Sequence, residues 1–239
     1  MQKIIVFLCL INVLFISCLS KGDVETGKGY PAPDKLCALT FDDGPSTELT
    51  PLVLDKLEVH KVVATFFVIG QLINEDTAPV MKRALKMGCE FGNHSWAWDS
   101  MDSMTVEEIR DSVGKTTAKI KQFAGTTPHF FRPPNLATSD TMYDAIDLSF
   151  ASGVLGFDWA GCDTTAEDRA RNILNGMRDG AIILLHDVQP TPHPTPEALD
   201  ILIPELKKLG YEFVTLSELF ARKKITPKAN HKNLWVYVE

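Results

Sequence analysis

The 239-residue chain is poor in cysteine, carries no clustered stripe of Lys and Arg, and has no tract of biased composition. Its 24 Lys+Arg stand against 31 Asp+Glu, a net charge of -7, which excludes the counterion-displacing basic surface that nucleic-acid binding requires. With 15 Gly and 14 Pro scattered along the chain, fibrous and broadly disordered classes are excluded as well. Cys9 and Cys18 lie in or beside an N-terminal apolar segment, and the remaining Cys37, Cys89 and Cys162 are an odd number that cannot all pair within one chain. None sits in a Cys-x-x-Cys unit. Buried free thiols are the reading for Cys37 and Cys89, with one disulfide left open for an oxidising compartment.

The one long apolar run is too short to be a comfortable membrane span. Lys3, the stretch from Ile4 to Ile16 broken only by Asn12, and then Ser17-Cys18 have the three-part layout of a secretory signal. Leu14-Phe15-Ile16-Ser17-Cys18 resembles a bacterial lipoprotein processing site, with Phe15 at the usual Leu position. It predicts lipidation of Cys18, residues 19–35 as a tether, secretion across the inner membrane and residence in the cell envelope on a lipid anchor. A plain signal cut near Ser20 is the alternative.

From Leu36 onward, short strand-type runs alternate with amphipathic segments of helical length, which favours a parallel sheet covered by helices. Seven strands are expected, at Cys37–Phe41, Val62–Ile69, Cys89–Gly92, His129–Phe131, Phe150–Leu155, Ala181–Leu185 and Glu212–Thr215. Helices are expected at Thr50–Val59, Ala78–Met87, Val106–Phe123, Ser139–Ile146, Ala166–Arg178, Pro196–Leu209 and Leu216–Lys223. Thr105 ahead of Val106-Glu107-Glu108 reads as a capping box, and Gly88, Gly180 and Gly210 read as C-terminal stops. No linker divides the alternation, so the expected fold is α/β, a distorted (β/α) barrel of about seven parallel strands in one domain over residues 36–224. The tail, residues 225–239, offers Leu234-Trp235-Val236-Tyr237 as an extra strand or a surface flap.

Polar residues collect where these strands end, the rim on which barrels build active sites. They are Asp42-Asp43, Asn93-His94, Arg132, Asp158 and His186-Asp187. Inside a strand adjacent carboxylates face opposite ways, but Gly44-Pro45 turns the chain so that Asp42 and Asp43 can share one cavity. A helix cap or turn is the plain alternative for that pair. His186, arriving after four aliphatics, is otherwise a core-edge histidine bonded to a carbonyl, and His94 otherwise a turn residue. Arg132, between Phe130-Phe131 and the rigid Pro133-Pro134, is harder to explain as packing.

The ordered set resembles the polysaccharide deacetylase family, carbohydrate esterase family 4 or NodB homology domain, over about Leu36 to Lys223. The family's Thr-Phe-Asp-Asp-Gly motif is matched by Thr40 to Gly44, its His-Ser/Thr-x-x-His by His94-Ser95 with Trp98 at the second histidine, and its Arg-Pro-Pro by Arg132-Pro133-Pro134, followed by Asn135-Leu136 where the family has Tyr-Gly. Its Leu-His-Asp ending is matched by Leu185-His186-Asp187. The Asp-x-x-Asp-Trp motif has two registers at Asp158-Trp159-Ala160-Gly161-Cys162-Asp163. Asp158 is favoured in both, with Asp163 in reserve. The resemblance implies a distorted (β/α) barrel, Asp42 as base, Asp43 and His94 as ligands of one divalent cation of the zinc or cobalt class, His186 as acid oriented by Asp158, and Arg132 holding Asp42 ionised. It further implies the Asn135 backbone N–H as oxyanion donor.

An indole at Trp98 cannot bind such a cation. Asp99 lies about 140° around a helix from His94 and would need a loop geometry to serve as a third ligand. The acetyl-xylan-esterase-like branch of the family includes members with an aromatic at this position, so the resemblance implies hydrolysis of acetyl groups from a polysaccharide by a monomer, leaning to O-acetyl. N-acetylated chitin- or peptidoglycan-type sugars and a non-catalytic glycan-binding lipoprotein are the alternatives. Trp96, Trp98 and Trp159 are candidates to stack on sugar rings or to pack internally, and Pro134 and Leu185 are expected beside them in the substrate cleft.

Overall fold

The computed structural model describes residues 33–159, 164–188, 193–229 and 232–239. Cys9, Cys18, residues 19–32 of the tether, Ala160, Gly161, Cys162 and Asp163 lie outside the described residues, and with them the lipidation expectation and Asp163 as reserve partner of His186. Among the described residues, eight strands and seven α-helices follow in the order β1 (Lys35–Asp42), α1 (Leu49–His60), β2 (Thr65–Val68), α2 (Ala78–Lys86), β3 (Glu90–Asn93), α3 (Val106–Ala124), β4 (Phe130–Phe131), α4 (Asp140–Ala145), β5 (Ser149–Phe150), β6 (Val154–Leu155), α5 (Ala166–Asn175), β7 (Ala181–His186), α6 (Thr195–Lys208), β8 (Tyr211–Val214) and α7 (Leu216–Arg222). Every strand pairing is parallel, in the order β5-β4-β3-β2-β1-β7-β6, with β8 also on β1. The sheet curls into a distorted (β/α) barrel.

The expected strand Phe150–Leu155 is two strands. Gly153 is the reason: a Cβ there would sit 2.9 Å from Leu184 Cβ and 3.0 Å from the Ile182 carbonyl. The chain leaves the β4 edge at Ala151 and rejoins the sheet against β7 at Val154. The C-terminal tail fills the seam so made. Trp235 N–H donates to Phe150 O at 3.1 Å, Ser152 N–H to Trp235 O at 2.7 Å, and Ile182 N–H to Val236 O at 3.0 Å.

Alternation along β1 and β7 divides the core. Cys37, Leu39 and Phe41, with Ile183 and Leu185, pack outward under α1 and α6, while Ala38, Ile182 and Phe67 face the barrel interior with Phe220 of α7. Each fully buried Leu or Phe stabilises the fold by about 1.5–3 kcal/mol. Cys37 and Cys89 are buried free thiols, as expected, and burial raises both. Thr105 closes its capping box with Glu108, and Gly88 and Gly210 take positive φ at helix ends, whereas α5 stops at Asn175 with Gly176 as its cap, so that Gly180, also at positive φ, is a turn residue ahead of β7 and not the expected helix stop. Among the described residues no helix is long and apolar enough to cross a membrane.

Candidate active site

Register brings the strand ends level. Asp42 pairs with His186 across β1 and β7, and with Phe67 across β2, while Asn93 pairs with Val68 and with Phe131. The residue after each strand therefore turns onto one rim. Asp43 (φ 75°), Ser95 (φ 69°), Asn135 (φ 56°) and Phe157 (φ 57°) all take left-handed backbone there, a conformation that costs these residues about 1–3 kcal/mol each. Strain of that kind lets consecutive side chains face one cavity, as Asp42 and Asp43 do.

The cavity holds about 470 Å³ and is lined by Asp42, Asp43, His94, Trp98, Pro133, Pro134, Asn135, Leu136, Leu155, Trp159, Leu184 and His186. On one side the fully buried Arg132 donates to Asp42 Oδ1 at 2.6 Å and Thr40 Oγ1 at 2.8 Å from the same nitrogen, to Ala151 O at 3.1 Å and to Ser152 O at 2.6 Å. Its guanidinium lies 4.1 Å from the Phe67 ring centroid. Arg132 thus makes one charge-assisted hydrogen bond to one oxygen of Asp42, while its other two nitrogens are fixed by backbone carbonyls. The other oxygen is 3.8 Å from His94 Nε2.

Between the two sides, His94 Nδ1 meets Arg132 O at 2.7 Å, which makes Nδ1 a donor and turns Nε2 toward Asp43 Oδ1 at 3.4 Å, where it donates when protonated and offers a lone pair to a cation when it is not. Burial alone would lower the His94 pKa, yet Asp42 and Asp43 raise it above its ordinary value, so this point of the cavity favours positive charge. Burial would raise the Asp43 carboxyl, but hydrogen bonds from His94 and from the Trp98 indole, with the charges of His94 and His186, hold it below its ordinary value. A carboxylate oxygen and a tautomer-fixed imidazole nitrogen at that spacing fit a divalent cation, with Trp98 serving Asp43 as a hydrogen-bond donor. Among the described residues no group of three His, Cys, Asp or Glu converges on one point. Asp99 lines a different pocket, with Trp96, Ser112 and Met104, and is not brought to the pair.

On the other side Asp158, fully buried, accepts from His186 N–H at 2.7 Å through Oδ2 and meets His186 Nδ1 at 2.7 Å through Oδ1. Burial would lower the His186 pKa, but Asp158, then Asp42 and Asp43, push it up to about 9. The ring carries its proton at neutral pH, oriented by Asp158.

Two expected substrate contacts are corrected. Leu185 is fully buried in the outer core, because the period of two on β7 puts Leu184 and His186 on the cavity face instead. Trp96 packs beside Gly70 and under Lys115 of α3, away from the cavity. Trp98 and Trp159 do line it, 44% and 47% exposed, and Trp159 stands edge-on to His186 at 6.0 Å. Pro134 and Asn135 line it as expected.

Sequence reasoning missed Thr195, Arg169 and the roles of Thr40, which accepts from Arg132, and of Asp187. Asp187 accepts from Thr50 Oγ1 at 2.6 Å, and burial pushes its carboxyl up to about 7. A Cβ on Gly44 would lie 2.4 Å from its Oδ2, so glycine is required where the turn after Asp43 crosses it. Thr195 at the start of a helix carried a recognisable capping type but nothing that pointed to Asp158.

A family model for polysaccharide deacetylases matches residues 29–150. The bifunctional xylanase/deacetylase of Pseudobutyrivibrio xylanivorans is 45% identical over 205 residues, covering 86% of this chain and 33% of that protein. A peptidoglycan-N-acetylglucosamine deacetylase of Listeria monocytogenes is 37% identical over 195 residues, covering 80% of this chain and 40% of that protein. The chain thus spans about a third to two fifths of the length of these curated relatives. A family 4 acetyl xylan esterase from Clostridium thermocellum, solved in complex with a cobalt ion, matches with a TM-score of 0.84 at 54% identity, covering 85% of this chain and 99% of that one.

Proposed function

Because the chain belongs to the polysaccharide deacetylase family, carbohydrate esterase family 4, we propose that it is a metal-dependent hydrolase that removes O-acetyl groups from xylan or a similar glycan. The observation that carries this reading is the placement of two buried carboxylate pairs, Arg132–Asp42 and Asp158–His186, on one cavity on either side of Asp43 and His94. A divalent cation held by Asp43 and His94 would polarise the acetyl carbonyl and lower the pKa of a water there.

Asp42 takes the proton of the attacking water, since its Oδ1 is clamped by Arg132 and its Oδ2 is the oxygen turned toward His94. The Asn135 backbone N–H meets the charge that develops on the acetyl carbonyl oxygen as water adds to the carbonyl carbon, a contribution of about 3–4 kcal/mol for a well-aimed donor. His186 then donates its Nε2 proton to the sugar oxygen as the C–O bond breaks, releasing acetate. Trp98 and Trp159, both exposed at the cavity, supply flat apolar faces for sugar rings.

The peptidoglycan-deacetylase relatives favour a second substrate class, N-acetylated sugars. Acetate release by the zinc- or cobalt-loaded enzyme from acetylated xylan and from N-acetylglucosamine oligomers separates the two. Release from xylan alone is expected. Release from the amino-sugar oligomers alone would replace the ester reading, and glycan binding without release from either would replace the enzyme. We place the protein in the cell envelope on a lipid at Cys18, and expect Cys18→Ala to move it from the membrane to the soluble fraction; unchanged partitioning would contradict the anchor.

A further inference from the structure

Behind the acid lies a buried chain of polar groups that the reaction as described does not use. Thr195, the first residue of α6, donates its hydroxyl to Asp158 Oδ2 at 3.1 Å. Arg169 of α5 donates from Nη1 to Thr195 Oγ1 at 2.8 Å and from Nε to Thr164 Oγ1 at 3.0 Å. Arg169, Thr195 and Asp158 have no solvent exposure. A guanidinium has no acceptor, so the Thr195 oxygen must accept from it, and the single hydroxyl proton is thereby directed at Asp158. Asp158 then receives Thr195 and the His186 N–H on Oδ2 and the His186 ring on Oδ1. Glu197 and His193 also face Arg169. His193 is kept neutral, its pKa pushed down to about 4 mainly by burial, so the charge that Arg169 brings to this side is balanced by Asp158 and Glu197.

We infer that Arg169 is a positioning residue for the acid: through Thr195 it holds Asp158 in one orientation, so that His186 keeps its proton on Nδ1 toward Asp158 and presents Nε2 to the leaving oxygen. Burying an arginine only to tie α5 to α6 would demand as much desolvation without needing the hydroxyl between it and the carboxylate. The inference rests on His186 acting as the acid in the function proposed above.

The leaving group provides the test. A sugar alkoxide must be protonated as it departs, whereas nitrophenolate departs without help. The metal-loaded full chain and its Arg169→Met, Arg169→Lys, Thr195→Val and His186→Gln variants are assayed on acetylated xylooligosaccharides and on 4-nitrophenyl acetate, with thermal unfolding of each recorded. Arg169→Met is expected to fall roughly 10- to 100-fold on the sugar ester, part of the general-acid factor, and less than about threefold on the aryl ester. Thr195→Val is expected to fall less in the same pattern, and Arg169→Lys to recover part of the loss. In the His186→Gln background, Arg169→Met should cause no further loss on the sugar ester. Equal falls on both esters, or a full additional loss in the His186→Gln background, would show that Arg169 only supports the fold and overturn the inference. If His186→Gln itself falls equally on both esters, the acid assignment fails and the positioning role falls with it.

Discussion

The two sides of the cleft set a carboxylate against a buried arginine in different ways. At the end of β1, Arg132 touches Asp42 directly and occupies one of its oxygens. Beyond β6, Arg169 stands one hydroxyl away from Asp158, whose two oxygens are both occupied. A carboxylate that must accept a proton needs one oxygen left toward the substrate. One that must only aim a neighbour is better saturated. The same pair of residue types thus yields a base on one side and an orienting group on the other, according to how many hydrogen bonds each carboxylate is given.

Removing the reacting oxygen should break the base side most completely. Asp42→Asn is expected to lower kcat for acetate release by about 10³-fold or more, and Asp158→Asn by about 10²-fold, because the second leaves the imidazole in place. Equal losses would erase the distinction. On stability the order is set by the clamp. Arg132→Met leaves Asp42 and two carbonyls buried without their donor and should cost about 3–5 kcal/mol in urea unfolding, and Arg132→Lys should not restore it, since an ammonium cannot span the four acceptors.

Between the two sides, Trp98→Phe removes the indole donor to Asp43 while keeping an aromatic wall. Metal affinity should weaken about 10- to 100-fold, measured by competition with a chromogenic chelator. The smallest effect concerns pH. His186 is raised in the folded state, so its pairing with Asp158 stabilises the metal-free protein fully below about pH 6.5 and is lost as pH rises through about 9. Urea unfolding in chelator across that window should decline for the wild type, and decline less for His186→Gln. Parallel curves would mean that the Asp158–His186 pair contributes nothing to folding.

The base side was more legible in the sequence than the acid side, for physical reasons. Asp42, Asp43, His94 and Arg132 sit at the ends of short buried strands, so the rim could be located from where those runs stop. Trp98 could be excluded as a ligand from its chemistry alone, although its hydrogen bond to Asp43 could not be foreseen. On the acid side Phe150–Leu155 reads as one strand across Ser152-Gly153, and the break there depends on how closely Gly153 approaches β7. Leu185 was misplaced because a buried parallel strand is apolar on both faces and carries no alternation to orient it. Trp96 and Trp98 are two residues apart, and only the turn at Ser95 decides which of them faces the cavity. Arg169 and Thr195 belong to two helices that meet only in the folded chain, and no spacing links them to Asp158.

The central claim, that Asp42 performs base chemistry beside a cation held by Asp43 and His94, is tested most directly by acetate release from acetylated xylan after chelation, after readdition of zinc or cobalt, and in Asp42→Asn. Release that vanishes on chelation, returns with metal and stays absent in metal-loaded Asp42→Asn is the predicted result. Release that persists in chelator, or a metal-loaded Asp42→Asn enzyme with wild-type rates, would contradict it.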